Sequence, residues 1–294
     1  MASLKDIKKR IGSVKNTRQI TRAMKMVAAA KLRRSQEAIL SSRAYAYRIY
    51  SILVSLSKMP DISHPWLEKR VEKRIRVVVL AGDRGLCGSF NSSVFKEVNR
   101  FLSAKKEAGV EVVIDAVGKK AYDAYRRHPA FGAYHEGLLA RATYSNTAKV
   151  ADEILGHFAS GEFDAIYLVY NEFKSAIQQT VTAERLIPVA TEVPGPVAGI
   201  LPIADEERFR KSLFEPSKQE VLNEIVPRHF KTQFFRAVLE SVASEHGARM
   251  SAMENATKNA SEMIDNLTLE YNKARQASIT KELLEIVGGV EAMK

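Results

Sequence analysis

The chain has 294 residues, a net charge of +11, 46% apolar and 27% charged residues, and one cysteine. That composition excludes a disordered, collagenous or disulfide-rich protein, and one thiol makes no internal disulfide and no cysteine-based zinc site. Apolar runs fall short of the roughly 18 residues a membrane helix needs, and the opening MASLKDIKKR is charged, with no apolar signal core.

Charge and proline are unevenly placed. All nine prolines lie between Pro60 and Pro227, and residues 1–59 carry +12, residues 60–227 carry −1 and residues 228–294 are neutral. With almost no helix breakers, both ends read as long helices. The basic balance therefore belongs to the first helix alone.

In that first arm, residues 1–59, alternating steps of three and four from Leu4 through Ile7, Ile11 and Val14 to Leu53 and Leu56 meet mostly apolar side chains. Polar residues cluster at Arg18, Thr21 and Lys25, where the apolar stripe is expected to step aside to Ile20, Met24 and Val27. In the last arm the same steps from Phe235 pass through Met253, Ala256, Ala260, Met263, Leu267, Glu270 and Ala274. A stripe held at a mean spacing of 3.5 residues is a coiled-coil seam. This seam is rich in Ala and carries Arg18, Lys25, His246 and Arg249, where a charge costs stability unless paired. Such residues either set the register or open the coil to outside partners. A 55-residue helix spans roughly 80 Å, whereas a domain of the size left between the arms is about 35–40 Å across. The arms are expected to protrude as an antiparallel stalk.

Between them, residues 74–204 read as an α/β domain. Strands are expected at Arg74–Ala81, Glu111–Val117 and Asp164–Tyr170, with one or two more within Lys174–Val189. Helices are expected at 91–108, with Asn91 or Ser92 near the cap, at 119–127 and at 146–159. Strands alternating with helices predict a Rossmann-like, doubly wound sheet. Residues 190–204 read as a loop, and 205–294 as a C-terminal segment and coiled-coil helix that Pro227 should start or kink.

The first strand is followed by Gly82-Asp83-Arg84-Gly85-Leu86-Cys87-Gly88. Such a turn resembles phosphate-binding loops, but its G-x-x-G-x-x-G spacing is not the dinucleotide fingerprint, and no G-K-[ST] follows. Glu107 and Glu111 lie at about the distance of a ribose-binding acid. The alternative is a tight turn needing positive φ and close helix packing. Cys87 reads as a small buried side chain, and Trp66 as a packing residue. The six histidines have no metal-ligand spacing, and no nucleophile elbow is present.

Three strings carry a resemblance: TRQITRAMKMVAAAKLRR at 17–34, DRGLCGSFN at 83–91, and the long run ARMSAMENATKNASEMIDNLTLEYNKARQASITKELLEIVG at 248–288. Together they closely resemble the gamma subunit of F-type, H+-transporting ATP synthases, nearly end to end. The N-terminus without a transit peptide fits a bacterial form. The resemblance implies a central rotor shaft whose coiled coil sits inside a ring of alpha and beta subunits. It implies that the α/β domain stands with the epsilon subunit on the membrane c-ring. Proton-driven rotation of that ring would drive ATP synthesis in the beta subunits. It implies no catalytic site and no cofactor on this chain, and a peripheral position on the cytoplasmic face of the bacterial inner membrane.

By the same resemblance, Met24, Lys25, Arg249, Arg275 and Gln276 face the alpha/beta ring. Phe214 and Glu215 face the c-ring and epsilon. Phe214 stands where the family often has Tyr, which removes a hydroxyl. Two other readings remain. One is a nucleotide-dependent enzyme on the α/β domain. The other is a basic helix binding nucleic acid or an acidic membrane surface, although the apolar seam of that helix is shared with the second arm and no nucleic-acid motif is present.

Overall fold

A computed structural model describes residues 4–59, 61–176, 178–189 and 214–291. The loop expected at 190–204 lies outside the described residues. The chain divides into two compact units, Met1–Ala28 with Arg249–Lys294, and Ala29–Ala248. Helix α1 (Leu4–Ser57) and the last helix, α5 (Lys218–Glu291), contribute residues to both.

The larger unit is built on a five-stranded sheet in the order β3-β2-β1-β4-β5. Its strands are β1 (Arg74–Leu80), β2 (Glu111–Val117), β3 (Phe131–His135), β4 (Ala165–Phe173) and β5 (Gln179–Ile187). Four strands are parallel, and β5 pairs antiparallel with β4. The central strand is apolar almost throughout because it is covered on both faces. Val77 and Val79 face α2 (Phe90–Glu107) and α3 (Lys119–Tyr125), in a core with Val94, Val98 and Ala121. Val78 and Leu80 face the other way, toward Ile154 and Phe158 of α4 (Tyr144–Ala159). Helices on both faces of a mainly parallel sheet make this the doubly wound α/β fold expected from the strand–helix alternation.

The second face is completed by α5. Phe230, Phe234, Ala237 and Val238 are fully buried in the same core as Val78 and Leu80. Much of what reads in sequence as the start of a stalk arm is therefore a layer of the α/β unit. A third cluster joins Leu53 and Leu56 of α1 to Leu222 and Val226 of α5, with Trp66 and Phe214 packed on it. Trp66 meets Phe158 edge-on at 6.1 Å.

Three local expectations are corrected. Pro227 does not start α5, which begins nine residues earlier and continues through it. An interior proline costs about 3 kcal/mol, but Val226 and Phe230 beside it are buried to 0% and 1%. Each such side chain contributes about 1.5–3 kcal/mol, which outweighs the break. Strand β3 has no counterpart among the expected elements, being a five-residue edge strand without regular alternation. Helix α2 begins at Phe90 with no side-chain cap. Asn91 instead accepts a hydrogen bond from the Gly82 N–H at 2.9 Å, tying the turn to the helix.

Candidate functional site

The smaller unit is an antiparallel helix pair. Thr257 Oγ1 donates to Thr21 Oγ1 at 2.8 Å, and Lys25 Nζ donates to Glu254 Oε1 at 2.6 Å. The residue number on α5 falls as that on α1 rises, so the helices run in opposite directions. On α1 the periodicity read from sequence holds, since no seam position from Leu4 to Leu56 is exposed. The stripe does not step aside at its polar stretch. Thr21 and Ala28 are buried in the seam, whereas Ile20 and Val27 are 61% and 57% exposed. A threonine is tolerated there because its hydroxyl has a partner across the seam.

On α5 the phase differs from the expected one. Met253, Ala260 and Ile264 are buried and Leu267, Tyr271 and Ala274 are half-buried, but Met263, Glu270 and Ala277 are exposed. The alternate seam positions are Thr257, Ile264, Tyr271 and Ser278, whereas Met263, Glu270 and Ala277 are exposed and Ala256 is half-buried. Both phases have the same mean spacing. Counting apolar side chains favours the outward one, because the inward one uses hydroxyls.

The helix then outruns its mate. In this register Leu4, 17 residues before Thr21, falls opposite Ala274, 17 residues after Thr257. Farther along, Ile279, Leu283, Leu284, Ile286 and Val287 are all exposed, Leu284 to 67%. Contiguous exposed apolar surface on a protein marks a place where another molecule sits.

Met24, Lys25 and Arg249 are half-buried on the smaller unit. In the register set by Thr21 and Thr257, Lys25 lies opposite Met253, one turn from Arg249, and pairs with Glu254. The ion pair is partly exposed, so its worth is below about 1 kcal/mol. Arg275 and Gln276 are exposed, about 33 Å farther along the helix axis at 1.5 Å per residue. In the larger unit Phe214 is half-buried on the third cluster, with Lys218 Nζ 6.0 Å from its ring centre, and Glu215 is exposed.

The glycine turn is wired to the protein itself. Gly82 N–H goes to Asn91, Lys120 N–H to Gly82 O, and Lys119 N–H, at the start of α3, to Asp83 Oδ1. The turn after β1 thus spends its own Asp83 carboxylate on the first amide of α3, the helix that follows β2. A Cβ on Gly82 would lie 3.0 Å from the Glu245 carboxyl carbon. Glu111 stands at the opening of β2 in register with Arg74 and pairs with it at 3.1 Å, at the opposite end of the strands from the turn. The ribose-acid reading fails on that geometry. Positive φ occurs at Gly88 and at Leu86, which is 64% exposed. Cys87 is buried, and its sulfur accepts from Asn91 Nδ2 at 3.3 Å. Among the described residues no three His, Cys, Asp or Glu side chains are placed to hold a metal. Arg76, Asp115 and His135 form a buried cluster, with Asp115 3.5 Å from Arg76 and 3.7 Å from His135.

A family model described as ATP synthase matches residues 3–293. Curated relatives called ATP synthase gamma chain are 45% identical in Geobacter metallireducens and 46% identical in Geotalea uraniireducens, each alignment covering 100% of both chains. The chain belongs to the ATP synthase gamma chain family.

Solved structures agree in fold. A chain from the central stalk and c-ring of the Tetrahymena thermophila mitochondrial ATP synthase aligns with a TM-score of 0.59 at 25% identity, covering 81% of this chain and 99% of its own. A chain from the Euglena gracilis mitochondrial ATP synthase rotor aligns with a TM-score of 0.65 at 21% identity, covering 94% and 98%. For a gamma chain, a turn closed by its own side chains and an outer coil surface studded with apolar and basic groups are consistent features. No helix among the described residues is long and apolar enough to cross a membrane.

Proposed function

We propose that this chain is the central rotor shaft of a bacterial F-type ATP synthase. It couples proton-driven rotation of the c-ring to ATP synthesis in the beta subunits, and it has no catalytic site of its own. The observation that carries this reading is the helix pair whose outer surface stays apolar and basic after its seam is filled. Ile20 and Val27 point outward beside the +12 arm, and the last turns of α5 expose Ile279, Leu283, Leu284, Ile286 and Val287. A surface of that kind suits a shaft held inside a ring of other subunits.

On this reading the basic face of α1, with Met24 and Lys25, meets acidic loops of the beta subunits. Arg249 supports that level of the coil. Arg275 and Gln276 make a separate polar contact with the alpha/beta ring, and Phe214 and Glu215 meet the c-ring and epsilon. The protein lies on the cytoplasmic face of the inner membrane and touches the membrane only through the complex. Binding to nucleic acid or to a lipid surface is less favoured, because the apolar seam of α1 is already covered by α5.

Co-expression with alpha and beta subunits tests the reading. The expected result is co-purification of one copy of this chain per alpha/beta ring, with ATP hydrolysis by that complex. Failure to enter the ring, or micromolar binding of ATP or NAD to the isolated chain in calorimetry, would overturn it.

A further inference from the structure

The strand order of the larger unit reverses between β1 and β4. The chain steps from β1 to β2 and β3 on one side, then resumes at β4 on the other. In doubly wound sheets ligands bind at that switch point, beyond the carboxyl ends of the two strands. Here β1 runs into Gly82, and β4 closes on Asn171, Glu172 and Phe173. Helix α5 reaches both ends. Ser244 Oγ donates to Asn171 O at 3.1 Å. The Glu245 carboxyl group lies against Gly82, its carbon 3.0 Å and both its oxygens 3.2 Å from where a Cβ would be. All four residues belong to the larger unit. Ser244 is fully buried and Glu245 is 8% exposed. A carboxyl group taken out of water must find polar surroundings. At a residue without a side chain, those are the main chain itself. The turn suits that role. Its left-handed residues, Leu86 and Gly88, curl the backbone, and such curls gather N–H groups into a concavity for an anion. Its other acid, Asp83, is already committed to the Lys119 N–H.

We propose that the glycine turn after β1 is a carboxylate-binding site and that Glu245 is its resident ligand, with Ser244 closing the β4 side of the crevice. The last helix thus stands where a doubly wound enzyme holds its substrate. The turn keeps the anion-binding character of its architecture, but it spends that character on fastening α5 to the sheet. Removing the Glu245 side chain opens the site to a small free carboxylate.

Chemical rescue in the full chain tests the site. Glu245→Ala should lower the urea midpoint, and sodium acetate should restore part of the loss that sodium chloride at equal concentration does not. At about ten times its dissociation constant, acetate should raise the folded-to-unfolded ratio about tenfold. The parent, with its site filled, should respond alike to the two salts. Glu245→Gln fills the space without the charge, so it should be destabilised and gain nothing from acetate. A Cβ at Gly82 meets the same carboxyl group. Gly82→Ala should therefore lower the midpoint of the parent and leave that of Glu245→Ala nearly unchanged. Should Glu245→Ala stay unfolded in chloride, its recovery on refolding in acetate becomes the readout. Equal midpoints or equal recovery of Glu245→Ala in the two salts overturn the proposal. So does a Glu245→Gln midpoint within error of the parent, and so do additive losses from Gly82→Ala and Glu245→Ala, which would make the contact packing alone. No other subunit enters the assay, so its outcome is independent of the rotor reading.

Discussion

Arg236 of α5 grips the Glu184 carboxylate of β5 with one nitrogen, Nη2 lying 2.9 Å from Oε1 and 2.7 Å from Oε2. Its Nη1 donates to Tyr170 Oη and to Glu240 Oε1, each at 3.2 Å. The last helix is thereby fastened to the last two strands by a charged network as well as by the core of Phe230 and Phe234. Removing one partner from a buried pair leaves the others uncompensated. Arg236→Leu should cost about 3 kcal/mol, read as a lowered urea midpoint of the isolated chain. A midpoint within error of the parent would show that the helix is held by apolar packing alone.

His229 gives a pH dependence of known sign. It is 5% exposed, its ring stacks on Tyr50 at 5.3 Å, and burial, followed by the Arg236 charge, pushes its pKa down to about 4. The unfolded chain binds the proton near the ordinary 6.5, so between about 6.5 and 4 the unfolded state holds more protons. Stability is therefore present above 6.5 and lost as the pH falls through that window. The loss between pH 7 and 5 should be about 2 kcal/mol. Desolvation raises the Glu240 pKa, which acts in the opposite sense as the pH climbs above about 4.5. The His229 share is isolated by comparing urea midpoints of the parent and His229→Gln at both pH values, and the variant should show the smaller difference.

The glycine turn can be separated from a phosphate cradle by substitution. A Cβ at Gly85 would meet nothing within 4 Å and its φ is not positive, so Gly85→Ala should change stability by less than about 0.5 kcal/mol. Gly118, at the end of β2, has φ +90 and would bring a Cβ to 1.9 Å from Ala81 O. Gly118→Ala should cost about 3 kcal/mol or more. Thermal unfolding of the two variants checks both figures.

Arg275 and Gln276 are exposed, so Arg275→Ala and Gln276→Ala should leave the unfolding midpoint unchanged. They should weaken coupling or assembly in a reconstituted complex. Parental ATP hydrolysis and proton pumping in the double variant would remove both from the contact surface.

The +12 arm is expected to act by diffuse attraction. Neutralising any one Lys or Arg within residues 4–34 should leave ATP hydrolysis by the complex measurable, and neutralising several together should suppress it. A single charge whose loss abolishes hydrolysis would have to be assigned a specific contact.

The amino-acid order by itself determined the two long helices, the α/β unit between them and the family. Long breaker-free stretches can only be helix, the Val-rich β1 can only be a covered strand, and the strings around Thr17, Asp83 and Ala248 are specific. It also determined the α1 seam, where bulky apolar residues recur in one phase. Tertiary structure decided the rest. The α5 seam runs through Thr257 and Ile264 because α1 supplies a hydroxyl opposite Thr257, and residue type alone ranks Met263 higher. Pro227 lies within a helix because the core around Val226 and Phe230 outweighs its missing hydrogen bond. Phe230 to Val238 cover the sheet although their local pattern continues that of the coil. Periodicity tells which residues share a face, whereas what that face meets depends on elements far away in the chain, and only their packing settles it.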